Sequence, residues 1–131
     1  MSAPVRHLLL WALAYGAMAF AAGFVFGALR ELVLIPAFGE RLGRLIEFPV
    51  ITLTACAIGV WIGRRTHAPA MALGLLGVCV LVVLESSMAL GLMRITAADY
   101  LAGYDLTRGA LFPIGLALMA AAPGLGRRLK R

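Results

Sequence analysis

Water-soluble domains of this size do not carry four apolar runs of membrane-crossing length, and this chain of 131 residues does. The runs extend from Leu8 to Leu29, Leu45 to Gly63, Ala68 to Met93 and Gly109 to Leu125. A helix needs about 20 apolar residues to cross ~30 Å of hydrocarbon, and each run comes near or exceeds that length. Lipid offers no water to peptide groups, so a buried run must satisfy its own N–H and C=O groups as a helix. The pattern predicts an all-α integral membrane protein, a four-helix bundle forming a single transmembrane domain over residues 1–131. What is left outside the four helices is too short for a separate soluble module.

Charge is sparse, at 14% of residues against about 25% in soluble domains, and its placement carries the argument. The net charge of +6 would suggest nucleic acid in a soluble protein. Here Arg6, Arg64, Arg65, Arg127, Arg128, Lys130 and Arg131 fall at the N-terminus, the second connection and the C-terminus, with no acid among them. The first and third connections balance Arg30, Arg41, Arg44, Arg94 and Arg108 against Glu31, Glu40, Glu47, Asp99 and Asp105. This is the positive-inside asymmetry, which predicts both termini in the cytoplasm, an N-in, C-in topology. The lipid bilayer is the expected partner rather than nucleic acid. The Gly126 to Arg131 tail adds an expected attraction to anionic headgroups, about 1 kcal/mol per charge.

The first run reads as an uncleaved span. Ala17-Met18-Ala19 resembles a leader-peptide cleavage site, but the apolar run continues to Leu29, past the usual length of a leader core. Trp11 and Tyr15 are expected near the cytoplasmic interface. Gly23 and Gly27 form a GxxxG pair, expected to pack another helix within the molecule. Pro36 and Gly39 should stop the first helix beyond Arg30. Glu40 to Glu47 then suits a short interfacial helix or a polar first turn of helix two, with Pro49 in the first turn of that span. Thr52, Cys56, Gly59 and Gly63 make one small-residue stripe, and Ala70, Gly74 and Gly77 another. The tight Arg64–His67 turn predicts that helices two and three are antiparallel neighbours. Thr96 and Asp99 have capping spacing, Gly103 should end that turn, and Asp105 can cap the last helix.

Glu85 is the sharpest chemical clue. It lies about 21 Å along the third run from Met71, in the outer third of the bilayer. A charged acid at a helix centre costs about 2.5–3.5 kcal/mol on insertion scales, so a proton or a cation must offset it. Arg30 is the expected cationic partner, and Glu47 is close in depth. Two readings follow. Arg30, Glu47 and Glu85 form a buried polar lock that fixes helix packing, or Glu85 binds a proton or cationic ligand in a small transporter or binding protein. The second reading needs a homo-oligomer or another membrane partner, since four helices rarely enclose a pathway alone. His7 and His67 sit at the boundary and suit capping or headgroup contacts. Cys56 and Cys79 read as buried small residues, not a redox pair. No metal-ligand spacing, cofactor motif or nucleophile–base arrangement is visible, which favours an accessory or structural component over an enzyme.

The segments Gly27-Ala-Leu-Arg30, Pro36-Ala-Phe-Gly39 and Glu47-Phe-Pro49 resemble those of small bacterial four-helix inner-membrane proteins of the hypothetical, uncharacterised kind. Those also place an acid in the third helix and an outer loop like Asp99-Tyr100-Leu101 through Asp105. The resemblance covers most of the chain. It implies the architecture and a multi-pass location in the bacterial cytoplasmic membrane, and it carries no activity.

Overall fold

In the computed structural model, which describes residues 2–102, 104–105 and 111–130, the chain begins its first helix at once. The Ser2 hydroxyl accepts from the Val5 N–H at 3.4 Å, and Pro4 occupies the first turn, where a missing N–H is harmless. Helix α1, Ala3–Leu29, runs into a π-helical segment, Arg30–Leu34, and then a short turn, α2, Ile35–Phe38. Helical backbone is continuous through Phe38 and ends at Gly39, whose φ of 87° lies where a Cβ would clash. Gly39 thus stops the helix as the sequence predicts, whereas Pro36 is accommodated within it.

Helix α3, Glu40–Arg65, takes the place of the interfacial helix and the second span together. Pro49 lies inside it rather than in its first turn, which corrects the expectation. Glu40, Arg41 and Arg44 have high enough helix propensity to start the helix two turns earlier. Helix α4, Ala70–Ser86, continues into a second π segment, Ser87–Leu92. After α5, Ala97–Ala102, comes α6, Phe112–Lys130. The Thr96 hydroxyl caps α5 by accepting from the Asp99 N–H at 3.2 Å. The turn expected at Gly103, the span start expected at Gly109 and the residues Asp105 would cap lie outside the described residues. No strand occurs among the described residues.

Three stretches are long and apolar enough to cross a membrane: Ala3–Phe38, Glu40–Arg65 and Ala70–Leu92, of 36, 26 and 23 residues. Helix α6 is shorter, with Arg127 and Arg128 in its last turn, so only Phe112 to Gly126 is free of charge.

The long helices form a ring in which α1 and α6 each pack on both α3 and α4. Helices α3 and α4 are antiparallel but diagonally opposed, not the packed neighbours that their tight connection predicts. Tyr15 explains the spacing. It is fully buried in the middle of the ring, not at the interface, with Gly59 of α3 and Gly77 of α4 pressed against its ring. Its hydroxyl donates to the Met119 carbonyl of α6 at 2.6 Å. That carbonyl would ordinarily accept from residue 123, which is Pro123 and has no N–H. A side chain from α1 thereby satisfies the orphan that α6 creates.

Around this hub the small-residue stripes bring backbones together. Gly63 meets the Pro123 carbonyl, Gly74 the Ala120 carbonyl and Gly126 the Val60 carbonyl, where any Cβ would collide. Ala12, Ile62, Leu73, Leu81 and Met119 complete the core. This core extends from the middle of the ring toward one end. At that end His7 Nε2 and the buried Thr66 hydroxyl are 2.8 Å apart, and Trp11 and Trp61 meet edge to face. Arg127, expected in the lipid-facing tail, instead donates to the carbonyls of Gly63, Thr66 and Ala68. It ties α6 over the α3–α4 connection. Arg6, Arg64, Arg65 and Arg128 share this end, and no described acid does.

Candidate functional site

Among the described residues, the opposite end of the ring is less tightly filled. An indented cavity of about 1030 Å³ lies there between the π segment after α1, the first half of α3, the end of α4, α5 and the start of α6. Ligand pockets commonly measure about 300–1,000 Å³. All three residues singled out from the sequence line it.

Arg30 and Glu47 are brought together directly. Arg30 Nη1 donates to Glu47 Oε2 at 2.6 Å, joining the end of α1 to α3. The side chains are only 25% and 11% exposed, so this pair is shielded from solvent screening. The same guanidinium reaches Glu31 Oε1 at 3.3 Å through Nη2. Arg30 is therefore occupied on two sides by other acids.

Glu85 stands beside this pair without joining it. Arg30 and Glu47 are close enough to act on it electrostatically, yet Glu85 makes no ion pair within 4.0 Å and no hydrogen bond among the described residues. One of its oxygens lies over Gly23, 3.5 Å from where a Cβ would be. The Gly23–Gly27 pair, expected to pack a helix backbone, instead faces side chains: Glu85 at Gly23 and Arg30 at Gly27. A Cβ at Gly23 would meet the carboxylate only in ordinary van der Waals contact.

Sequence reasoning missed the aromatic wall. Tyr100 and Tyr104 have ring centroids 5.4 Å apart, and Tyr104 and Phe112 5.1 Å, both edge to face. The two phenol oxygens are 2.7 Å apart. Burial, then the hydrogen bond to Tyr100 and the neighbouring Glu85 charge, hold the Tyr104 phenol well above its ordinary range. The four-residue spacing of Tyr100 and Tyr104 was a signal, since such residues share one face of a helix. Nothing in the sequence linked them to Phe112, because that contact spans the 106–110 connection.

Below the cavity a narrower slot of about 70 Å³ runs between the helices. Its walls are almost entirely apolar, with Ala19, Leu81, Leu116 and Met119 among them. It shares Phe48, Ile51, Glu85 and Phe112 with the cavity, so Glu85 marks the junction of the two. No group of His, Cys, Asp and Glu able to hold a metal occurs among the described residues. Cys56 and Cys79 are both free thiols. Comparison with protein-family models, curated proteins and solved structures finds no significant match for this chain.

Proposed function

We propose that this is a four-span, N-in, C-in protein of a bacterial cytoplasmic membrane that binds a ligand in its outward-facing cavity. The basic end containing Arg64, Arg65 and Arg127 faces the cytoplasm in this reading, and the cavity opens on the other side. The observation that carries the reading is Glu85 on the cavity wall, without an ion pair among the described residues and beside a cation already engaged by Glu47 and Glu31. An acid at membrane depth is costly to keep as a bare charge, and a ligand cation would offset that cost. Arg30 and Glu47 act as the lock between α1 and α3. No catalytic step is assigned.

The alternative is an accessory or structural component in which Glu85 belongs to the lock. The Arg30–Glu47 pair favours it to the extent that it pins two helices. The readings differ in what Glu85→Gln does to thermal unfolding in detergent. A binding group tolerates the change, so the melting temperature should stay within about 2 °C, while Arg30→Ala lowers it clearly. Equal losses from both variants would return Glu85 to the lock and remove the binding reading. Topology is checked in the Cys56→Ala, Cys79→Ala background, where a cysteine at Glu40 should react with an impermeant maleimide in intact cells and one at His67 should not.

A further inference from the structure

From the chemistry around Glu85 we infer the class of ligand: a substituted ammonium carrying an apolar body. The inference rests on the binding reading above and specifies it. Three independent features of the site converge on this class.

The first is charge. Among the cavity's cations, Arg30 is engaged by Glu47 and Glu31, and Arg44 by Glu40 at 3.1 Å. Arg41 lies on the exposed first turn of α3, at the rim. Glu85, at the junction of cavity and slot, has no ion pair among the described residues, so a bound cation is the ligand charge that its carboxylate would favour.

The second is the wall facing that carboxylate. Tyr100, Tyr104 and Phe112 form a continuous edge-to-face series, with Phe48 on the adjoining helix. Ring faces attract ammonium groups, and alkylated ammoniums, which shed water easily, gain most from such surroundings. Glu85, Tyr100, Tyr104 and Phe112 line the same cavity, so acid and rings share one compartment.

The third is the slot beneath. An ammonium at Glu85 can direct an apolar substituent downward between Ala19, Leu81 and Met119, where hydrocarbon replaces nothing polar. A small inorganic cation would leave this slot unused, and no group of His, Cys, Asp and Glu able to hold a metal occurs among the described residues.

The test uses the full chain in lipid nanodiscs and equilibrium dialysis against three probes of one shape: benzyltrimethylammonium, benzenesulfonate and benzyl alcohol. Benzyltrimethylammonium should bind saturably and at least tenfold more tightly than either of the others. Glu85→Gln should weaken it at least tenfold, Glu85→Asp less, and Tyr104→Ala several-fold while Tyr104→Phe stays within threefold. Sulfonate or alcohol binding as tightly as the ammonium, or an unchanged Glu85→Gln, would overturn the ammonium inference while leaving a binding cavity in place. Absence of saturable binding by all three probes would overturn the inference and the binding reading together. A readout on the unaltered chain guards against a misfolded variant: benzyltrimethylammonium should protect Glu85 from a hydrophobic carbodiimide, scored by peptide mass. Labelling of Glu85 that the ammonium does not reduce would also overturn it.

Discussion

Removing one oxygen from the molecule's centre tests the packing logic most directly. Tyr15→Phe keeps the ring between Gly59 and Gly77 and deletes only the hydroxyl that donates to Met119 at 2.6 Å. The carbonyl it leaves has no helical donor, because Pro123 stands where that N–H would be. An unsatisfied buried carbonyl costs about 1–3 kcal/mol. Interhelical hydrogen bonds inside membrane proteins average nearer 0.6 kcal/mol with a maximum of about 1.7. The Tyr15 hydroxyl is fully enclosed and serves an orphan, so a loss of about 1–2 kcal/mol is expected, at the upper end of the membrane range. The decisive step is the second background. Pro123→Ala supplies the N–H at residue 123, so Met119 regains an ordinary helical partner. In that background Tyr15→Phe should cost less than about 0.5 kcal/mol, a coupling of roughly 1 kcal/mol across the cycle. Reversible unfolding in mixed micelles, or steric trapping in bicelles, measures all four species. Equal penalties for Tyr15→Phe with and without Pro123 would refute the claim that the phenol compensates for the proline.

Further outcomes are expected from the same unfolding assay. Arg30→Ala strands the shielded Glu47 carboxylate and should cost about 1–3 kcal/mol, less than a fully buried pair because Arg30 keeps some solvent; Arg30→Glu with Glu47→Arg should recover at least half of it. Gly74→Ala drives a methyl group onto the Ala120 carbonyl and should cost about 1–3 kcal/mol. Gly91→Ala has nothing within 4 Å and should stay within about 0.5 kcal/mol. Arg127→Met frees three carbonyls around the α3–α4 connection and should cost about 1–2 kcal/mol, whereas Arg128→Met should be neutral; equal effects would mean that net charge, not the carbonyl contacts, matters at this end.

The all-helical nature of the chain, the stop at Gly39 and the small-residue contact faces were readable because each depends on local chemistry. Runs of apolar residues, a glycine at positive φ and glycines four apart declare themselves within a few positions. What escaped was set by third parties. Helices α3 and α4 looked like neighbours because their connection is short, but the Tyr15 ring and the α1 and α6 backbones come between them. Tyr15 looked interfacial because tyrosines often are, and only the Pro123 vacancy on a distant helix explains its burial. Gly23 and Gly27 had the spacing of a helix groove, yet Glu85 and Arg30 fill the space above them. Arg30, Glu47 and Glu85 were legible as a group through depth alone. How they divide, two bonded and one left over, depends on rotamers that no spacing encodes.

That division follows from an asymmetry between the two ends. At the basic end Gly63, Gly74 and Gly126 let backbones touch, and toward the middle Gly59 and Gly77 close on the Tyr15 ring, so that not even a methyl group fits without displacing its neighbours. Toward the other end the same helices carry Phe48, Glu85 and Phe112 on their inner faces, and α1 buries no residue beyond Ala19. Both π segments also fall here, one beginning at Arg30 and the other just after Ser86. Each π segment breaks the regular register, turning following side chains to a new direction, and such segments are often found at functional sites. A protein whose sole task was to brace a membrane complex would gain from closing both ends alike. Here one end is closed by glycines and a carbonyl-clasping arginine, while the other is held apart around an acid with no ion pair among the described residues. The closed end gives the open end a fixed base, and the Arg30–Glu47 pair holds the rim of α1 against α3 without filling the space between them. Such an arrangement is suited to holding a guest.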